Sequence, residues 1–294
     1  MNEIDKKIQT YLTALSAALA SEDKALIQDA LYDAEHHFRE ALNDAHGTPE
    51  SIETIIEDYG SPEDIAAHYQ AIEASVQFAF NGSQKPAPKP TWRSLFSILK
   101  DPKAYQALAF HFLALPIGIL AFAWTTMVGI VTAVASILVF GIPLFLLYLQ
   151  SMRYFSLFEG RLIETFLGER MPRRPHYVHD PEEKLLLERV KLVIKDRQVW
   201  TSALYLALKM PISVLAFHVS VVPALFSLAI VLSPIVDPIL YSIDPSFTKD
   251  LEFYWLPITL PAGVVGLTLS LYIANWLGSM QAKLAKYMLV QSRG

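Results

Sequence analysis

The stretch from Ala104 to Leu149 reads AYQALAFHFLALPIGILAFAWTTMVGIVTAVASILVFGIPLFLLYL. It is apolar almost without relief: it holds no Asp, Glu, Lys or Arg, and His111 is its one histidine. A hydrocarbon core of about 30 Å needs roughly 20 helical residues. The stretch supplies about two such lengths, with a break expected near Thr125, Thr126 and Gly129. A second apolar block runs from Ala203 to Val236 and a third from Tyr254 to Leu277. These blocks place the chain in a membrane.

The rest of the composition agrees. Mean hydropathy is +0.32 and only 18% of the 294 residues are charged, against about 25% in soluble domains. The charge is unevenly spread. Residues 1–80 hold 16 Asp or Glu against 4 Lys or Arg, so an acidic soluble domain precedes the membrane part. There is no cysteine, which excludes disulfides, thiolate metal sites and cysteine nucleophiles. No apolar signal core follows Met1–Lys7, so the front domain is expected in the cytosol.

Helical periodicity runs through that front domain. Ile4, Ile8, Leu12, Leu15 and Leu19 form one face. Ser21 is the expected cap of the next helix, with Glu22 and Asp23 in its first turn. Leu26, Ala30, Leu31, Ala34, Phe38, Ala41 and Leu42 make its stripe. Gly47 ends it and Thr48-Pro49-Glu50 starts a third helix. Gly60 then Ser61-Pro62-Glu63-Asp64 repeat the signal for a fourth. The expected fold class is all-α, a small four-helix bundle in front of a four-helix membrane domain. His36, His37, His46 and His68 among the acids allow a metal site, but no pair has helical spacing with a companion ligand, so a solvated acidic face is the reading adopted.

The ordered set Asp33, His37 and Glu40, then Gly47, then Tyr59, Gly60, Pro62, Glu63, Ile65 and Ala66 resembles the HAAS-type signalling domain of the DUF1700 group over about residues 5–72. The resemblance implies a non-catalytic cytosolic interaction module, often partnered with a PadR-like transcription regulator. It offers Asp33, His37, Glu40 and Glu63 as partner-interface candidates.

Domain 1–80 is followed by a Pro-rich linker over 81–91, containing Pro86, Pro88 and Pro90. The remainder, 92–294, opens with Trp92, Arg93, Leu95, Phe96, Ile98 and Leu99, an expected interfacial helix whose Arg93, Lys100 and Lys103 meet anionic membrane lipid. Four spans are expected, over about 104–125, 128–149, 203–232 and 254–277. The segment Met152–Arg197 carries ten Lys or Arg, whereas Ser233–Phe253 carries four acids and one Lys. The positive-inside rule puts loop 150–202 and both termini in the cytosol and loop 233–253 outside.

Lys100–Phe122 aligns without gaps on Lys195–Phe217, pairing Lys-Asp with Lys-Asp and Pro116-Ile117 with Pro211-Ile212. That predicts two helical hairpins in the same orientation. With Gly141-Ile142-Pro143 and the Glu159/Arg161 pair, the repeat resembles the four-span sensor domain of some bacterial and archaeal signalling proteins, over about Trp92–Met288. The resemblance implies a protein of the cytoplasmic membrane. The kinase part often found with that domain has no counterpart here, as no ATP-binding glycine pattern is present, so the output is expected of the front domain.

Ligand or sensing candidates are the polar groups of the spans: Lys209, His218, His111 and Asn275. Lys209 is expected to snorkel to the inner interface. No acid lies in the predicted spans, so His218 lacks a partner for a proton relay. Pro116, Pro211 and Pro143 are hinge candidates, with packed kinks as the plainer reading. Glu159, Arg161, Glu164, Glu169 and Arg170 read as an amphipathic surface helix. His176, His179 and Asp180 form a loose loop pattern, and no metal or other cofactor is expected. No nucleophile elbow, P-loop or HExxH is present, so the reading is not an enzyme. The acidic front argues against direct nucleic-acid contact. The leading expectation is a membrane sensor that signals through its front domain to a soluble partner. The alternative is a small transporter or lipid-handling protein, and a homo-oligomer fits either.

Overall fold

The computed structural model describes residues 3–44, 49–81, 95–138, 141–174, 191, 193–244 and 253–290. Among them the regular structure is all helical. The front helices are α1 (Glu3–Ala18), α2 (Lys24–Asp44), α3 (Pro49–Tyr59) and α4 (Pro62–Asn81). The helices that follow are α5 (Pro102–Ala135), α6 (Ile142–Leu167), α7 (Arg197–Ile243) and α8 (Leu256–Leu289).

In the front domain the predicted faces converge. Ile8, Leu12, Leu15, Leu19, Ala30, Ala34, Phe38 and Ile52 are fully or nearly fully buried in one core. Tyr11 meets the Phe38 ring edge-on at 4.9 Å and donates its hydroxyl to Gly60 O at 2.9 Å. Gly60 sits at φ +105°, a conformation that favours glycine, and it turns the chain into α4. Ser61 caps that helix, accepting from Asp64 N at 3.1 Å. At α2 the expectation needs correcting: Asp23, not Ser21, is the cap, and its Oδ1 accepts from Ala25 N at 2.9 Å. Of the expected linker only Asn81 is described, as the end of α4, while the rest of it, Trp92, Arg93, Gly47, His46, His176, His179 and Asp180 fall outside the described residues. Of the expected interfacial helix, a short 3₁₀ turn covers Phe96–Lys100.

Among the described residues three helices are long and apolar enough to cross a membrane: α5 with 34 residues, α7 with 47 and α8 with 34. Their outer faces are greasy, Leu120 being 65% and Ile130 65% exposed. The expected break near Thr125 is absent. Trp124–Val128 is a π turn inside a continuous helix, and the chain reverses at Ser136–Leu138 instead. The two threonines are absorbed by the π turn: the Thr126 hydroxyl bonds back to Phe122 O at 2.7 Å, and that of Thr125 reaches Met152 Sδ on α6 at 3.9 Å. Gly141 marks the true reversal, since a Cβ there would stand 1.8 Å from Ala135 O. The span expected over 128–149 is therefore two pieces, the end of α5 and the start of α6. Helix α6 then runs on through the segment read as a separate surface helix, and Arg153, Glu159, Arg161 and Glu164 keep it out of the strongly apolar set. The loop expected over 233–253 is helical as far as Ile243.

The proline candidates differ in setting. Pro116 and Pro211 lie inside α5 and α7. Pro143 lies in the first turn of α6, where a missing N–H costs nothing. The π turn Phe217–Val221 comes immediately before Pro223, whose ring crowds the carbonyl four residues back.

Asp101 accepts from Lys103 N at 3.0 Å, and Asp196 from Gln198 N at 2.9 Å. Tyr105 donates to Leu99 O at 3.0 Å, and Trp200 to Ile194 O at 2.7 Å. These are matched positions of the gapless alignment, so both segments start a helix in the same way. Their packing sense differs from expectation. Gly118 faces Ser213, with room for no Cβ between them, and His111 Nδ1 meets Ser220 Oγ at 3.1 Å. Numbers rise on α5 as they fall on α7, so these two helices pack antiparallel rather than in the same direction.

Candidate functional site

Helix α6 ends at Gly168, which takes the left-handed cap conformation at φ +70° and donates to Glu164 O at 3.2 Å. The chain then leaves as a strap, Glu169–Arg174. Met171 anchors it, 1% exposed in the same core as Ile163 and Leu289. Gly160 on α6 makes the room, since a Cβ there would come within 3.2 Å of Met171 Cβ.

Beyond Met171 the front domain takes hold of the strap. Asp29 Oδ1 accepts the backbone N–H of Arg173 at 2.8 Å and of Arg174 at 2.9 Å. Gln28 Nε2 donates to Arg174 O at 3.1 Å. The Arg174 guanidinium stands 3.1 Å from Asp33. The Arg170 guanidinium lies between Asp29, at 3.6 Å, and Glu73. At the end of α8, Lys286 bridges Asp23 at 2.5 Å and Glu169 at 2.7 Å. Asp23 thus caps α2 with one oxygen and pairs Lys286 with the other. Asp29 and Glu73 are buried, and buried carboxylates need partners of this kind.

Burial pushes the Asp29 carboxyl up from its ordinary value, although the Arg174 and Arg173 amides and the Arg170 guanidinium pull it down.

A second polar group lies inside the helices. Lys209 on α7 is 4% exposed and pairs with Glu159 on α6, itself 1% exposed. Tyr205 donates to Glu159 Oε1 at 3.2 Å, and the Phe110 ring lies 5.6 Å from the ammonium. Among the described residues Glu159 Oε2 has no hydrogen-bond partner. Nearby on α5, His111 is fully buried, and among the same residues its Nε2 has none either. Ser220 Oγ lies 2.6 Å from Ala216 O. Its one hydrogen is spent there, so His111 Nδ1 carries the proton that it shares with Ser220. Glu159 neighbours Gly160, the glycine against which Met171 packs. The ion pair and the strap are consecutive along one helix.

The comparisons bear on both regions. A family model described as "Putative sensor" matches residues 111–289, more than half of the chain. The chain belongs to the sensor family. The HAAS family model matches residues 10–68, so a HAAS domain precedes the sensor domain. No curated protein and no solved structure matches the chain significantly.

Within the sensor domain only two of the four polar candidates face inward. His111 and Lys209 are buried; His218 and Asn275 are exposed, and His218 Nδ1 rests 2.9 Å from Val214 O. Lys209 does not snorkel, because Glu159, read as a surface acid, is its partner. Within the HAAS domain Asp33 lies in the joint and also accepts from Tyr69 at 3.0 Å. His37 stacks on Tyr59 at 4.8 Å, while Glu40, 3.6 Å from His36, and Glu63 are exposed away from the strap. Sequence reasoning missed Asp29, Glu73, Met171 and Lys286. Among the described residues no three His, Cys, Asp or Glu gather as a metal site.

Gly160→Val tests the strap's seat. Crowding Met171 is expected to cost about 1–3 kcal/mol, as overpacking does. Trypsin should then cut faster after Arg170, and Gly160→Ala should have a smaller effect.

Proposed function

We propose that the sensor domain senses an envelope, lipid or small-ligand state and sets how firmly its HAAS domain is docked, and that the freed HAAS domain engages a soluble partner. The observation that carries this reading is the strap. Its Met171 belongs to the sensor core, and its next residues are held by Asp29 of the HAAS domain. A shift of α6 at the Glu159–Lys209 pair would move the same helix that positions the strap, giving a continuous physical route. The HAAS domain, the strap and the end of α8 meet at one place, which supports one side of the membrane for all three. The basic strap supports the cytosolic side of a cytoplasmic membrane.

The partner that the HAAS resemblance implies is a PadR-like regulator, and the reading needs no catalysis. The matched starts of α5 and α7 support an internal repeat. The transport alternative asked for Lys209, His218 and Asn275 around one cavity. Exposure of His218 and Asn275 favours the relay.

The test uses the native Lys286–Asp23 pair. A carbodiimide converts it to an isopeptide bond that mass spectrometry counts in full-length protein in lipid vesicles. Changing the vesicles from phosphatidylcholine to a mixture with phosphatidylglycerol, or introducing the charge-free pair E159L/K209M, should change the yield severalfold. A yield indifferent to both would overturn the relay.

A further inference from the structure

We propose that the face of α2 that holds the strap is the HAAS domain's peptide-reading surface, and that the soluble partner presents to it a short basic segment that displaces the strap. This rests on the reading above and adds the chemistry of the partner.

The contacts are those of peptide recognition. Arg174 is held by its main chain on both sides, its N–H by Asp29 and its carbonyl by Gln28. Asp29 takes the preceding N–H as well. Main-chain contacts accept any extended or bent segment. Selection comes from the guanidinium groups: Asp33 faces Arg174, while Asp29 and Glu73 face Arg170. The face therefore reads two arginines, four positions apart, on a segment that bends at Arg173 and Arg174.

The surface is also exchangeable. The HAAS core is drawn from residues within Ile4–Tyr69 and contains no strap residue. The strap's apolar anchor, Met171, is seated in the sensor domain instead. Among the described residues, hydrogen bonds and ion pairs join the strap to α2 and no strap residue belongs to the HAAS core, so its leaving takes nothing from that core. What it leaves behind is Asp29, an acid that burial desolvates and that calls for a basic replacement. Within the chain the strap competes at the high effective concentration of a tethered ligand, so a free segment binds well only when the sensor domain loosens the strap.

The test uses full-length protein in phosphatidylcholine nanodiscs and a dye-labelled peptide of the strap sequence, Gly-Glu-Arg-Met-Pro-Arg-Arg. The wild-type chain should bind it weakly. R170A/R174A, which weakens the tethered competitor, should bind it about tenfold more tightly or better. Lys286→Ala opens the joint from the other side and should act in the same direction if the double variant folds poorly. Adding Asp29→Ala to either should abolish binding. Absence of binding to both opened chains, indifference to Asp29→Ala, or equal binding of a scrambled peptide of the same charge would overturn the proposal. So would a dimer dissolved by the peptide, because the face would then belong to a second copy's strap. A relay that fails the cross-linking test leaves these outcomes unaffected, so the two failures are distinguishable.

Discussion

Lys209→Met is expected to be the most damaging single change in the sensor domain, lowering stability by about 3–5 kcal/mol. The reason is the group left behind. Glu159 is 1% exposed, and among the described residues its Oε2 already lacks a partner and Tyr205 would be what remains on Oε1. A buried carboxylate without its cation bears the full cost of leaving water. E159L/K209M removes both charges and fills similar volume, so it should recover most of the loss, as replaced buried pairs commonly do. Thermal unfolding in detergent, followed by tryptophan fluorescence, gives the order wild type and double variant high, Lys209→Met low. A Lys209→Met chain that melts with the wild type would mean that the pair is not buried. Glu159→Gln, which keeps a hydrogen-bonding group beside an unpaired ammonium, should fall between.

The sequence made some of this legible for physical reasons that can be named. Gly60-Ser61-Pro62 announces a helix start because each residue does one local thing: positive φ, a side-chain cap and a fixed φ with no N–H to lose. The length of the Ala104–Leu149 stretch likewise signals membrane burial without knowledge of neighbours. Where two local solutions were equivalent, sequence reasoning chose wrongly. Ser21 and Asp23 can both cap, and Thr125, Thr126 and Gly129 can either break a helix or be absorbed by a π turn. The joint was illegible for a different reason. Its main grip is on the backbone of Arg173 and Arg174, and main-chain contacts leave no side-chain signature. Met171 is one apolar residue with no period around it. Glu159 and Lys209 belong to different helices, and their pairing exists only once α6 packs beside α7. Asp33 was reached through family resemblance, whereas Asp29, four residues earlier, holds the strap.

Asp29→Ala is expected to open the joint. It strips the acceptor from two consecutive strap amides and the counter-charge from Arg170. Bonds of this charge-assisted kind contribute about 1.5–3 kcal/mol each, and a combined loss on the order of 3 kcal/mol raises the open population about a hundredfold. Asp29→Asn separates the two contributions, because its carbonyl can still accept both amides while the charge is gone. Limited trypsin digestion of the full chain in nanodiscs reads the difference after Arg170 and Arg173, since cutting tracks the open population when closing is fast. The expected order of rates is wild type slowest, Asp29→Asn intermediate, Asp29→Ala fastest. High salt should speed cutting of the wild type by screening Arg174–Asp33 and Lys286–Asp23 at the partly exposed rim. It should change Asp29→Ala less, because the main-chain grip has already gone. Equal rates for wild type and Asp29→Ala would show that Asp29 does not hold the strap, and a sensor domain acting through that strap would have no handle on the HAAS domain.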